Sequence, residues 1–180
     1  KSELFVIEKK AKLKKKEVSI GIRLNPNTNA KTLKQISTGM EGDKFGLAEI
    51  EFIKLVNYIK LSKFIKLRCL SVHIGSQILN YKPYEKMLKV ISKLIKKTNH
   101  SFEFVDLGGG MGIPYEKKNK KLNYKIYSYL IRKFLKKNNC KIIFEPGRAI
   151  IGNTGILISK VIYIKKNKNK NFVILDAAMN

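Results

Sequence analysis

The chain has 180 residues, 44% of them apolar, which suits one domain with a real core. Its net charge is +25, but only four of the 38 basic residues are Arg (23, 68, 132 and 148), the side chain on which nucleic-acid sites lean. The Lys residues are scattered over the whole chain, which argues against a nucleic-acid partner. No run of roughly 18 uncharged apolar residues offers a membrane span, and the start KSELFVIEKK lacks a signal-peptide core.

A strand-helix rhythm runs along the chain. Val18–Leu24 (VSIGIRL) is β-rich and ends in the turn signal Asn25-Pro26. Leu67–Ile74 (LRCLSVHI) is a second apolar run, ending at Gly75. Phe102–Leu107 (FEFVDL) is a third, ending in three glycines, and Lys141–Phe144 (KIIF) is a fourth, ending in Glu-Pro-Gly. Helical patterns lie between them: Met87, Val90, Ile91, Leu94 and Ile95 share one stripe, and Ile126, Leu130, Ile131, Phe134 and Leu135 another. His73 and Gly108 are 35 residues apart, and Gly108 and Glu145 37, close to one strand-helix-strand step. The expected fold is α/β, a partial (β/α)8 TIM-like barrel over residues 1–152.

After Glu145 the rhythm changes. Gly155–Ile164 and Phe172–Leu175 read as two successive strands with no helix between them. Residues 153–180 are therefore expected to start a C-terminal β-rich domain, incomplete at Asn180. Barrels of this type take about 250 residues, so the chain reads as an internal fragment. Cys69 and Cys140 fit no metal-ligand spacing and read as core cysteines of a cytoplasmic protein. The runs Lys14–Lys16 and Lys165–Lys170 read as solvated turns.

The chemistry-bearing residues fall just after the apolar strands, where parallel α/β architectures bind ligands. Gly108, Gly109 and Gly110 can bring backbone N–H groups to an anion. A tight strand-to-helix turn is the plainer explanation. The segment is neither a dinucleotide fingerprint, since Ile113 replaces the third glycine, nor a P-loop. Glu145 and Arg148 either close a turn as a salt bridge or each take a ligand: Glu145 a cationic nitrogen, Arg148 a phosphate or carboxylate. A lone strand histidine is more often structural than catalytic. His73 stands just before Gly75 and Ser76, however, so its ring can stack on an aromatic cofactor while Ser76 donates to a phosphate. No metal site is expected.

The strings RLNPNTNAKT, ISTGMEGDKFG, VHIGSQI, DLGGGMGIPY, EPGRAIIGNTGIL and FVILDAAMN resemble, in order, the diaminopimelate decarboxylase family. That resemblance implies an alanine-racemase-type barrel holding pyridoxal 5'-phosphate, followed by a β domain. By it His73 stacks on the pyridine ring. Ser76 and the backbone of Gly108, Gly109 and Gly110 help to hold the phosphate, and Pro146 belongs to the cofactor site. Glu145 pairs with the pyridine nitrogen. Gly147 and Arg148 line the phosphate and substrate region, with Arg148 binding a substrate carboxylate. The implied reaction converts meso-2,6-diaminopimelate to L-lysine and CO2, in a cytoplasmic homodimer. Gln77 favours this branch, because ornithine-type relatives tend to carry Gly there.

Several family features are not found. No Lys-Ala-Asn motif supplies the covalent cofactor lysine, and Lys44 belongs to a different block. The downstream Cys-Glu proton-donor segment is missing, and Leu33 stands where the family often has His. The chain alone is accordingly expected to be inactive. Three alternatives stay open: a related decarboxylase of arginine, ornithine or carboxynorspermidine, a catalytically dead cofactor-binding remnant, and a basic nucleic-acid-binding protein.

Overall fold

The computed structural model describes residues 2–30, 39–40, 44–116 and 120–178. Leu33, residues 36–38 and 41–43 of the ISTGMEGDKFG block, and the terminal Met179 and Asn180 lie outside the described residues. The chain divides into two units, Lys1–Ile150 and Ile151–Asn180.

The larger unit runs α1 (Ser2–Lys14), β1 (Val18–Arg23), α2 (Glu49–Lys60), β2 (Ile65–Ser71), α3 (Lys82–Thr98), β3 (Phe104–Asp106), α4 (Tyr124–Leu135) and β4 (Lys141–Ile143), then the short helix α5 (Arg148–Ile151). The four strands pair in parallel in the order β1-β2-β3-β4. This is the α/β rhythm expected from the sequence. The described strands form an open sheet and do not close a barrel.

Helices cover one face of the sheet. Leu70, Val72, Val105 and Leu107 are buried beneath Phe52 and Val56 of α2, Met87 and Ile91 of α3, and Tyr127 and Ile131 of α4. Two local devices end α3. Asn99 takes the left-handed conformation (φ 43°), and Lys60 of α2 donates to the carbonyls of Thr98 and Asn99 at 2.7 and 2.9 Å, satisfying two helix-end acceptors.

α1 and α2 stand outside the helices read from the sequence. In α1 only Leu4, Glu8 and Ala11 are buried, too narrow a stripe to read against its Lys-rich surroundings. Its docking is tertiary. The Glu8 carboxylate accepts from Tyr58 and Ser62, each at 2.5 Å, and Phe5 meets the Tyr58 ring edge-on. The Ser62 and Tyr58 hydroxyls, with Lys12 beside them, hold the Glu8 carboxyl below its ordinary value.

One irregularity in β2 decides the direction of the site. Ile20 pairs with Leu67 but Gly21 pairs with Cys69, so Arg68 is an extra residue on β2. Ile65 and Leu67 are buried on the helix side. Without the bulge, alternation would send Cys69, Ser71 and His73 to that side as well. Past Arg68, Leu70 and Val72 are the buried residues instead. Cys69, Ser71 and His73 therefore turn to the face without helices.

The smaller unit holds an antiparallel hairpin, β5 (Val161–Lys166) and β6 (Asn171–Leu175). The first strand begins six residues later than Gly155, because backbone pairing begins only at Val161 opposite Leu175. Just before it, Lys160 N–H donates to Asp176 Oδ1 at 2.7 Å. The Lys/Asn turn closes with Asn167 N–H donating to the Lys170 carbonyl at 3.0 Å. No helix among the described residues is long and apolar enough to cross a membrane.

Candidate functional site

The chain leaving β2, β3 and β4 stays laced together beyond the ends of the strands. Val72 N–H donates to Asp106 O (2.8 Å), Leu107 N–H to Ile143 O (3.0 Å) and Glu145 N–H to Gly108 O (2.9 Å). A further parallel bridge joins Ile78 to Met111. His73, the glycine triplet and Glu145 thus stand side by side, and strand alternation puts His73, Asp106 and Glu145 on the helix-free face.

The triplet is glycine for two reasons at once. Gly108 and Gly110 have φ +64° and +86°, where side chains are strained. A Cβ on Gly109 would lie 2.1 Å from the Glu145 carbonyl oxygen, and one on Gly110 would lie 2.1 Å from that of Gly75. Two of the three N–H groups are also spent inside the protein. Gly108 N–H donates to Asp106 Oδ1 at 2.8 Å and Gly109 N–H to His73 Nδ1 at 3.2 Å. The triplet is therefore first a packing device, closer to the plain turn than to a full anion cradle. Among the described residues, the donors left for an anion are Gly110 N–H, the Ser76 hydroxyl, and Gly147 and Arg148.

His73 is half-buried. Burial pushes its imidazole below the ordinary value of 6.5, and the Arg23 guanidinium pushes the same way, while Glu145 and Asp106 oppose them. Nδ1 accepts from Gly109 N–H, so the neutral ring carries its proton on Nε2. In an NMR titration His73 is expected to change charge below pH 6.5, and the Gly109 amide signal to move with it. A midpoint above 6.5 would refute this electrostatic account. A histidine that binds its proton more weakly when folded contributes stability above pH 6.5, lost as pH falls toward the folded value.

Glu145 and Arg148 do not form the salt bridge that closes a turn. Among the described residues no cation pairs with the exposed Glu145 carboxylate, although its charge reaches His73 and Cys69. Arg148 Nη1 instead donates to Gln77 Oε1 at 3.1 Å, and its guanidinium lies 5.9 Å from the centre of the Tyr115 ring. Pro146 and Gly147 lie between them, and a Cβ on Gly147 would meet nothing within 4 Å. Burial raises the thiols of Cys69 and Cys140, and both are free. No group of His, Cys, Asp or Glu suited to a metal ion occurs among the described residues.

Sequence reasoning missed three supports. Asp106 holds Gly108 and receives the Ser71 hydroxyl at 3.4 Å. Tyr84, wholly buried, donates to the Gly109 carbonyl at 3.2 Å. Arg23 reaches the His73 carbonyl at 3.4 Å. Only Asp106 carried a signal, as a carboxylate two residues before the glycine triplet.

A neutral imidazole, an unpaired carboxylate, an uncancelled guanidinium and a few N–H and O–H donors at one sheet edge suit a flat, cationic, phosphate-bearing ring. The family described as "Pyridoxal-dependent decarboxylase, pyridoxal binding domain" matches residues 2–152. The diaminopimelate decarboxylase of Zymomonas mobilis is 38% identical over 185 residues, covering 99% of this chain and 44% of the relative. That of Aquifex aeolicus is 38% identical over 183 residues, covering 100% of this chain and 44% of the relative. The chain thus spans less than half the length of these curated relatives. The crystal structure of the Helicobacter pylori diaminopimelate decarboxylase complexed with L-lysine superposes with a TM-score of 0.87 at 37% identity, covering 98% of this chain and 45% of that one.

Proposed function

Because this chain belongs to the pyridoxal-dependent decarboxylases, we propose that it carries the cofactor-holding part of an enzyme that converts meso-2,6-diaminopimelate to L-lysine and CO2. The observation that carries this reading is the 38% identity to diaminopimelate decarboxylase, which extends over 99% of the chain. In this reading residues 1–152 are part of a (β/α)8 barrel and residues 153–180 begin a β-rich domain. The whole protein is then a cytoplasmic homodimer.

The residues present fit pyridoxal phosphate. His73, with Gly109 N–H donating to its Nδ1, would stack on the ring. Ser76, Gly110, Gly147 and Arg148 would donate to the phosphate, and Gly108, Gly109 and Pro146 shape the turns that carry them. Glu145 would pair with the ring nitrogen and favour its protonated form. Arg148 also serves an incoming substrate carboxylate. When bound, the cofactor supplies an electron sink for the charge left by departing CO2. The protein's share is to hold that ring, and to leave the Glu145 side chain without a cation of its own.

The test uses the protein encoded by the full reading frame that contains this sequence. With pyridoxal phosphate it is expected to release CO2 and L-lysine from meso-2,6-diaminopimelate, with little release from arginine, ornithine or carboxynorspermidine. A preference for one of those three would overturn the substrate assignment. Failure to take up pyridoxal phosphate would overturn the whole reading.

A further inference from the structure

We infer that Gln77 is a positioning residue that holds the Arg148 guanidinium in place without cancelling its charge, keeping it available to an anion. The inference rests on the cofactor reading above and names a residue that this reading leaves without a role.

Gln77 has an unusual setting. Its backbone is left-handed (φ +63°), a region that non-glycine side chains rarely adopt. Its amide pairs with both backbone groups of Ile113: Nε2 donates to the carbonyl at 2.5 Å, and Oε1 accepts from the N–H at 3.2 Å. That double contact fixes which way the amide points. Gly112 is close by, and a Cβ there would lie 3.0 Å from Gln77 Oε1. The loop after β2 is thereby clamped to the loop after β3.

The fixed Oε1 has a second lone pair, and Arg148 Nη1 donates to it at 3.1 Å. One amide therefore ties together the loops that follow β2, β3 and β4. The Tyr115 ring, its centre 5.9 Å from the guanidinium carbon, is a second contact of Arg148. Neither contact brings a negative charge, and among the described residues no carboxylate pairs with Arg148. Its remaining donors and full charge are left for a phosphate or a carboxylate.

A glutamate in place of Gln77 fails on two counts. It cannot donate to the Ile113 carbonyl, so two oxygens would face each other across the clamp. It would also pair with Arg148 and cancel the charge that an anion needs. An alanine would release both loops and leave the guanidinium unheld. The geometry asks for an amide, a neutral group that donates on one edge and accepts on the other.

The experiment compares wild type, Gln77→Glu and Gln77→Ala in the protein of the full reading frame, with thermal melts to confirm folding. Fluorescence titration gives the affinities for pyridoxal phosphate and for pyridoxal, which lacks the phosphate. Steady-state assays give KM for meso-2,6-diaminopimelate. If Arg148 serves the phosphate, Gln77→Glu is expected to lower the ratio of pyridoxal phosphate to pyridoxal affinity by about tenfold, with Gln77→Ala affected less. If it serves a substrate carboxylate, that ratio stays constant and KM rises by a similar factor. A merely structural role would weaken both cofactor forms equally in both variants, and that result overturns the inference. So does an unchanged ratio together with an unchanged KM. Wild-type protein that takes up no pyridoxal phosphate overturns the cofactor reading and this inference together.

Discussion

Replacing Glu145 with Ala is expected to slow decarboxylation by about 100-fold or more, the scale lost when a positioned electrostatic group is removed from a reacting site. The backbone at this position is anchored at both ends of its peptide. Its N–H donates to Gly108 O at 2.9 Å, and its carbonyl oxygen packs against Gly109. The carboxylate itself takes no cation from the described residues. An anion held by its backbone and left unpaired in its side chain is suited to a cation supplied by a ligand. Charge rather than shape should therefore carry the effect. Glu145→Gln, which keeps the outline and a hydrogen bond, is expected to lose nearly as much, and Glu145→Asp to retain a measurable part. The readout is kcat for CO2 release at saturating pyridoxal phosphate in the full reading frame's protein. Turnover within a few-fold of wild type in Glu145→Ala would remove Glu145 from the proposed role.

Gly109→Ala is expected to destabilise the fold by about 3 kcal/mol, the upper part of the range for forced overpacking, and to weaken cofactor binding strongly. The added methyl would be 2.1 Å from the Glu145 carbonyl oxygen, so the chain after β3 and the chain after β4 must separate. That separation strains the Glu145–Gly108 hydrogen bond, and it carries Gly109 N–H away from His73 Nδ1. The three candidate groups lose their common frame in one substitution. Urea denaturation measures the first effect and pyridoxal phosphate titration the second. Gly147→Ala is the control, because a Cβ there meets nothing within 4 Å. Equal losses in the two variants would show that crowding at Gly109 is not the cause.

Much of this was legible in the sequence because burial leaves a periodic signature. The apolar runs that became β1 to β4 and the stripes that became α3 and α4 record contact with a core, and such contact selects residue type. The strand ends were legible too, since Gly, Glu, Arg and His directly after an apolar run need a local reason. The positions of His73, Gly108–Gly110 and Glu145/Arg148 after three successive strands follow from order along the chain alone. α1 was not legible, because its docking rests on one buried carboxylate and two hydroxyls from residues 50 and 54 positions away.

The sequence by itself determined the α/β class, the order of the strands and which residues stand at their ends, since these depend on neighbours along the chain. Only the tertiary structure decided which way those residues face and what they already hold. The extra residue at Arg68 turns His73 away from the helices, and one-residue parity cannot be read from a run that is apolar on both sides of the bulge. The close approach of Glu145 and Gly75 to the triplet shows that glycine is demanded by packing, and two of its N–H groups are used within the protein. Arg148 meets Gln77, 71 residues away, in place of Glu145. Such pairings are set by the spacing of strands and loops in three dimensions, which no local pattern of residues encodes.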